Sequence, residues 1–236
     1  MNITINGVRV NYQVFVPRQR DPARGGSEGK PFIILHGWNS NSDRWTFIAE
    51  KIAEGVPGGP GPFKVIIPDL PGFGKSDGLL VPWNTNKYVE WIEQFIKELN
   101  LDDVYILGHS FGGALASKIA IKHVQNIKKL FLVSAACVRK KTGREGSTKR
   151  FSTKIAKIVK LFQFLPYYWL FRKVIYKYII RKSDYIYFEG IMKETYLNVI
   201  AEDMSFQLPF VKVPTIIIWG DKDESTPIEN GILINE

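Results

Sequence analysis

Gly108-His109-Ser110-Phe111-Gly112-Gly113 follows the apolar run Val104 to Leu107 and opens a helix. A serine at so sharp a passage from strand to helix stands in strained backbone. Glycines two residues to either side let neighbouring chain segments approach without a Cβ in the way. The hydroxyl is then presented above the sheet, at a helix N-terminus whose free N–H groups favour developing negative charge. The plainer reading of the same residues is a close-packed glycine-rich turn with a capping serine.

Working outward, short apolar runs alternate with stretches of helical period. Val8 to Val16 alternates apolar and polar residues like a half-exposed strand, and Phe32–Leu35, Val65–Ile67, Val104–Leu107, Leu130–Val133 and Thr215–Trp219 read as buried strands. Asn84 or Thr85 caps a helix that places Tyr88, Trp91, Ile92, Phe95, Ile96 and Leu99 on one face. Strand, helix and strand at this rhythm imply an α/β fold, with a mostly parallel sheet covered by helices on both faces and ligands at the carboxyl ends of the strands. The rhythm breaks after Ala136 and resumes at Val213. The predicted organisation is therefore a core of 1–137 and 209–236 with a helical insertion over 138–208. The Gly/Pro clusters at Gly25–Gly29 and Gly55–Pro62 read as surface loops.

The 236 residues suffice for one domain with a core and a small insertion. Cys137 is the sole cysteine, so the chain cannot close an internal disulfide, which fits a reducing compartment and makes a cytoplasmic location the expectation. No run is long and apolar enough to read as a membrane span. The net charge of +9 is local: the stretch 139–194 carries 15 Lys and Arg against four acids, a surplus of eleven that leaves the remainder at −2. A near-neutral body with one basic, aromatic-rich segment is not the profile of a nucleic-acid binder.

The order of motifs resembles the α/β-hydrolase family, in its soluble esterase, perhydrolase and C–C hydrolase branch. His36-Gly37-Trp38 after a strand is similar to the family's oxyanion loop, Asp69 to Ser76 to its next strand-end turn, Gly108 to Gly113 to its nucleophile elbow, and Gly220-Asp221-Lys222-Asp223 to its acid turn. The resemblance implies Ser110 as nucleophile, the backbone N–H groups of Phe111 and Trp38 as oxyanion donors, and Asp223 as the acid, with no metal or cofactor. Asp221 competes with Asp223, which in turn could simply cap a helix near Pro227, and Trp38 could serve only as a core aromatic. Gly72 to Ser76 looks like a phosphate loop but has Asp69 where that motif needs glycine.

One member is missing. The family's base is a histidine after the acid, and none follows Asp223 among the three the chain holds, His36, His109 and His123. The resemblance implies a further strand, Gly-His turn and helix beyond Glu236, so a C-terminally incomplete chain with an open sheet edge at Thr215–Trp219 is expected. By the same resemblance the insertion is a substrate-selecting cap. Phe162, Phe164, Leu165, Tyr168, Trp169 and Phe171 give it an apolar lining suited to an acyl or aromatic substrate, and its lysines and arginines form a solvated face or a weak contact with an anionic membrane surface. The expected function is hydrolysis of an ester or related acyl bond through an acyl-serine. The alternatives are C–C bond hydrolysis and a non-catalytic binding role.

Overall fold

The computed structural model describes residues 1–17, 29–55, 62–123, 126–139 and 189–236. The chain divides into two compact units, Met1–Arg139 with Glu194–Glu236, and Lys140–Lys193. The stretch 194–208, read from sequence as part of the insertion, falls in the unit that holds the sheet. The cap-lining aromatics Phe162 to Phe171, the basic residues between them and most of the two Gly/Pro clusters lie outside the described residues.

Seven strands form one sheet in the order β1-β2-β4-β3-β5-β6-β7. They are β1 (Asn2–Ile5), β2 (Val8–Phe15), β3 (Lys30–Leu35), β4 (Phe63–Pro68), β5 (Val104–His109), β6 (Ile127–Val133) and β7 (Thr215–Ile218). β1 and β2 pair antiparallel, and β2 continues antiparallel onto β4. From β4 through β7 every pairing is parallel, and the central strands β3, β4 and β5 are buried almost throughout, as in a parallel sheet covered on both faces. The α/β-hydrolase-type architecture expected from sequence is thus present, with a mostly parallel sheet.

Helices cover both faces because the strand residues alternate. Phe32, Ile34, Val65 and Ile67 pack with Ala49 and Ala53 of α1 (Thr46–Glu54). Their neighbours Ile33, Leu35 and Ile66 are equally buried and belong to the opposite face. There α2 (Thr85–Glu98) and α3 (Phe111–Lys122) pack together, with α3 lying along β5, β6 and β3. The α2 stripe of Tyr88, Trp91, Ile92 and Phe95 is buried, and Asn84 proves to be its cap, its side chain accepting from Lys87 N–H at 2.9 Å. Two further helices, α4 (Gly190–Ile200) and α5 (Ile228–Asn235), follow β6 and β7 in the chain.

Lys118 of α3 is buried, which an ammonium tolerates only when compensated. Its Nζ donates to Thr85 Oγ1 at 2.8 Å and Asn86 Oδ1 at 2.7 Å and pairs with Glu202, which also accepts from the Thr85 hydroxyl. This cluster fastens the turn after α4 to α2 and α3. Removing the cation strands a carboxylate that is only 25% exposed, so Lys118→Ala is expected to lower stability in urea by about 3 kcal/mol. The double variant Lys118→Met, Glu202→Gln, which leaves no unpaired charge, should recover most of that loss.

Candidate active site

The elbow is built by backbone contact. A Cβ on Gly112 would lie 2.1 Å from Leu35 O, one on Gly108 2.4 Å from Gly112 O, and one on Gly113 2.5 Å from Ala135 Cβ. Only glycines let the start of α3 sink between β3, β5 and the end of β6. The residue at the bend, Ser110, has φ 51 and ψ −116, a conformation that L-residues avoid. Its carbonyl accepts from Gly113 N at 2.9 Å, Ala114 N at 3.3 Å and Ala136 N at 2.9 Å, and its own N–H donates to Val133 O at 3.0 Å. These four bonds hold the strain. Ser110 is only partly buried, and the N–H of Phe111, at the first helical position, has no carbonyl one turn back to bond.

The loop His36-Gly37-Trp38 lies against this bend, since a Cβ on Gly37 would sit 3.2 Å from Ser110 Cβ. His36 sets the loop's geometry. Its Nε2 accepts from Leu70 N–H at 3.0 Å, so the proton is on Nδ1, which donates to Gly37 O at 2.8 Å. In a trans peptide the carbonyl and the following N–H point opposite ways, so fixing Gly37 O fixes the direction of Trp38 N–H. Trp38 is a packed aromatic as well. Its ring meets Phe73 at 4.9 Å, Tyr196 at 5.1 Å and Phe111 at 5.4 Å between centroids.

Asp69 closes the next turn. Its carboxylate accepts from Ser42 N at 2.6 Å, Lys75 N at 2.8 Å and Asn11 Nδ2 at 2.9 Å, and Gly74 has φ 57 with no room for a Cβ beside that carboxylate. Burial pushes the Asp69 carboxyl up, but these donors outweigh it and hold it below its ordinary value. Asp69 to Ser76 is therefore a carboxylate-centred turn and not a phosphate cradle.

On the acid turn, Asp223 and Asp221 are told apart by their surroundings. Asp223 Oδ1 accepts from Ser225 N and Thr226 N, both at 2.9 Å, and Oδ2 from Thr226 Oγ1 at 2.8 Å, while Asp221 is exposed. Burial raises the Asp223 carboxyl. The hydrogen bonds, one of them from the Ser134 hydroxyl, more than offset this and keep it ionised below the usual carboxylate range. Asp223 closes its own turn and does not cap α5, where Pro227 occupies the capping position. Ser134 follows Val133, the residue whose carbonyl binds Ser110 N–H, so this hydroxyl links the elbow's strand neighbour to the acid turn. Ser134 and Tyr196 are the two site residues that the sequence reading passed over. Ser134 carries a positive φ of 44, but no sequence pattern marks it.

Among the described residues no histidine hydrogen-bonds the Ser110 hydroxyl. His36 has both ring nitrogens engaged, and His123 is paired with Glu93 at 3.1 Å beyond the far end of α3. The His109 ring packs on Trp45 at 5.6 Å, its pKa lowered by burial and partly restored by the field of Asp223. Among the described residues no three His, Cys, Asp or Glu side chains group as a metal set would.

This geometry can be set beside known proteins. Residues 30–165 match the family model described as the alpha/beta hydrolase fold. The chain belongs to the α/β-hydrolase fold family. It is similar to Lipase 1 of Psychrobacter immobilis, 25% identical over 228 residues that cover 90% of this chain and 68% of that protein. Among solved structures it resembles an esterase from Exiguobacterium antarcticum, with TM-score 0.66 and 21% identity over 98% of this chain and 84% of that one. It also resembles a meta-cleavage product hydrolase from Pseudomonas fluorescens IP01, with TM-score 0.65 and 19% identity over 100% of this chain and 84% of that one. With such relatives the chain is a hydrolase of the α/β-hydrolase family. No helix among its described residues is long and apolar enough to cross a membrane.

The His36 clamp has a pH signature. Burial, opposed only in part by the Gly37 hydrogen bond, lowers its pKa from 6.5 to about 4, so the folded state favours the neutral ring. The unfolded chain then binds more protons between those values, and stability present above pH 6.5 is lost as pH falls toward 4, by roughly 3 kcal/mol. Urea titrations across this window should show that slope, and His36→Gln should flatten it.

Proposed function

We propose that this chain is a serine hydrolase that cleaves an ester or related acyl bond of an apolar or aromatic substrate, with Ser110 as nucleophile. The observation that carries this is the Ser110 backbone at φ 51, held by four hydrogen bonds at a strand-to-helix junction with the Gly37 segment against its Cβ. Ser110 Oγ attacks the acyl carbon and passes its proton, by way of solvent, to the leaving alkoxide, and the carbonyl electron pair moves to oxygen. The N–H groups of Phe111 and Trp38 receive that oxyanion, the leaving alcohol departs with a proton, and water hydrolyses the acyl-serine. Asp223, ionised and fixed by its turn, is the acid of the arrangement. The aromatic cluster of Trp38, Phe73, Phe111 and Tyr196 supports an apolar or aromatic acyl partner. A small-molecule substrate handled without a cofactor, in the cytoplasm, completes the reading. Weak contact of the basic segment with an anionic membrane surface remains its accompanying proposal.

The positions of His36, His109 and His123 favour a second reading, in which the scaffold binds its acyl ligand and turns it over slowly or not at all. C–C bond hydrolysis uses the same nucleophile and is separated by product analysis. A fluorophosphonate probe discriminates between the first two. The hydrolase reading expects labelling of Ser110 that disappears in Ser110→Ala and speeds up when imidazole is added as an external base. Labelling at the rate of a surface serine, indifferent to imidazole, would leave the binding reading in possession.

A further inference from the structure

Arg139 lies just past the end of β6, in the unit that holds the sheet. Its backbone N–H donates to Asp203 Oδ1 at 3.4 Å, and two residues earlier Cys137 O accepts from Met204 N at 2.9 Å, so the segment runs along the turn that follows α4. The side chain is half-buried, and its Nε is fully buried without a hydrogen-bond partner. Among the described residues no carboxylate lies within ion-pair distance of its guanidinium. The two nearby acids are already engaged. Glu202 is paired with Lys118 and Thr85, and Asp203 Oδ1 accepts from Ser205 N at 2.9 Å and from its hydroxyl at 2.5 Å. A guanidinium presents five donors in a planar fork and cannot shed its proton, so burying it without a carboxylate is costly unless a ligand supplies the anion.

The surroundings connect this cation to the site. Burial lowers the Arg139 pKa, and the fields of Tyr196, Cys137, Asp203 and Glu202 oppose that shift, although neither carboxylate pairs with the guanidinium. The Tyr196 ring lies tilted 5.1 Å from Trp38, whose ring is 5.4 Å from Phe111, the residue after the proposed nucleophile. Arg139 follows β6 at the strand end where Ser110 follows β5, and Ala136, three residues before it, donates its N–H to Ser110 O at 2.9 Å, so the cation belongs to the same end of the sheet as the serine.

We propose that Arg139 is a specificity-determining residue that recognises a carboxylate on the far end of the substrate, making the preferred class esters whose apolar body ends in an anion. This rests on the hydrolase reading of Ser110 and narrows its substrate. A bidentate guanidinium–carboxylate contact offsets the burial of both charges and discriminates strongly against an uncharged end.

The test compares monomethyl adipate, an anion, with dimethyl adipate, its neutral ester, by calorimetric titration of the whole chain at low salt. The expected result is at least tenfold tighter binding of the anion, lost in Arg139→Met, partly kept in Arg139→Lys, and unchanged in Ser110→Ala. Binding of dimethyl adipate should be unaltered in Arg139→Met, which together with an unchanged melting temperature shows that the variant is folded. Equal affinity of the native chain for the two probes, or an anion preference that survives Arg139→Met, overturns the assignment. Loss of fluorophosphonate labelling at Ser110 alongside an intact, Arg139-dependent preference would strike the hydrolase reading alone.

Discussion

The close approach of main chain to main chain at Gly108, Gly112 and Gly113 governs the rest of this molecule. Leu35 O stands where a Gly112 Cβ would be, so α3 starts lower against the sheet than any other residue there would permit. That depth brings Ser110 to its unfavourable φ, and three N–H groups on its carbonyl hold it there. Strain of this kind persists only where the surroundings over-determine it. Here they do so from three strands, because the same glycines that admit α3 also bring the end of β3, and with it the oxyanion loop, beside the serine.

Three carboxylates organise the loops around that bend. Asp69 gathers amides from the turn after β4 and from Ser42 near α1, Asp223 gathers those of its own turn together with the Ser134 hydroxyl, and Glu202 joins Lys118 and Thr85. The donors around Asp69 and Asp223 favour their ionised forms despite burial, so those two turns are locked by charge and not by apolar contact. This suits loops at strand ends, which have little hydrophobic surface to bury. His36 plays the complementary part as a neutral ring whose two nitrogens tie the oxyanion loop to the turn at Leu70.

β7 stands in contrast to this tightly determined region. It is the outermost strand in sheet order, and Ile216 and Ile218 are 38% and 48% exposed, with Ile232 and Leu233 of α5 also exposed. An apolar edge strand with unpaired amides is a surface that invites pairing. The Ser110 bend and the loop at Gly37 are thus held by many hydrogen bonds, whereas the turn of Asp223 follows the strand at the edge of the described sheet. Asp223 stays fixed there because Trp219 Nε1 donates to Thr226 O at 2.7 Å and the Trp219 ring fills the space beside Gly231.

Much of this could be read from the chain alone. Runs such as Phe32–Leu35 and Val104–Leu107 declare buried strands, the spacing of Tyr88, Trp91, Ile92 and Phe95 declares a helix face, and the glycines around Ser110 declare the elbow, because each is a local consequence of period or backbone freedom. The short strand β1, the antiparallel pairing of β2 with β4, and the meeting of Lys118 with Glu202 and of Tyr196 with Trp38 were not legible. These depend on strand order and on which loops end up side by side, and residues 84 or 158 positions apart leave no periodic trace of their contact. The sequence by itself determined the alternation of strand and helix and the residue at the bend, since sterics act between near neighbours. The tertiary structure alone decided which charges are compensated and which cation is left over, since that is settled by burial among distant segments.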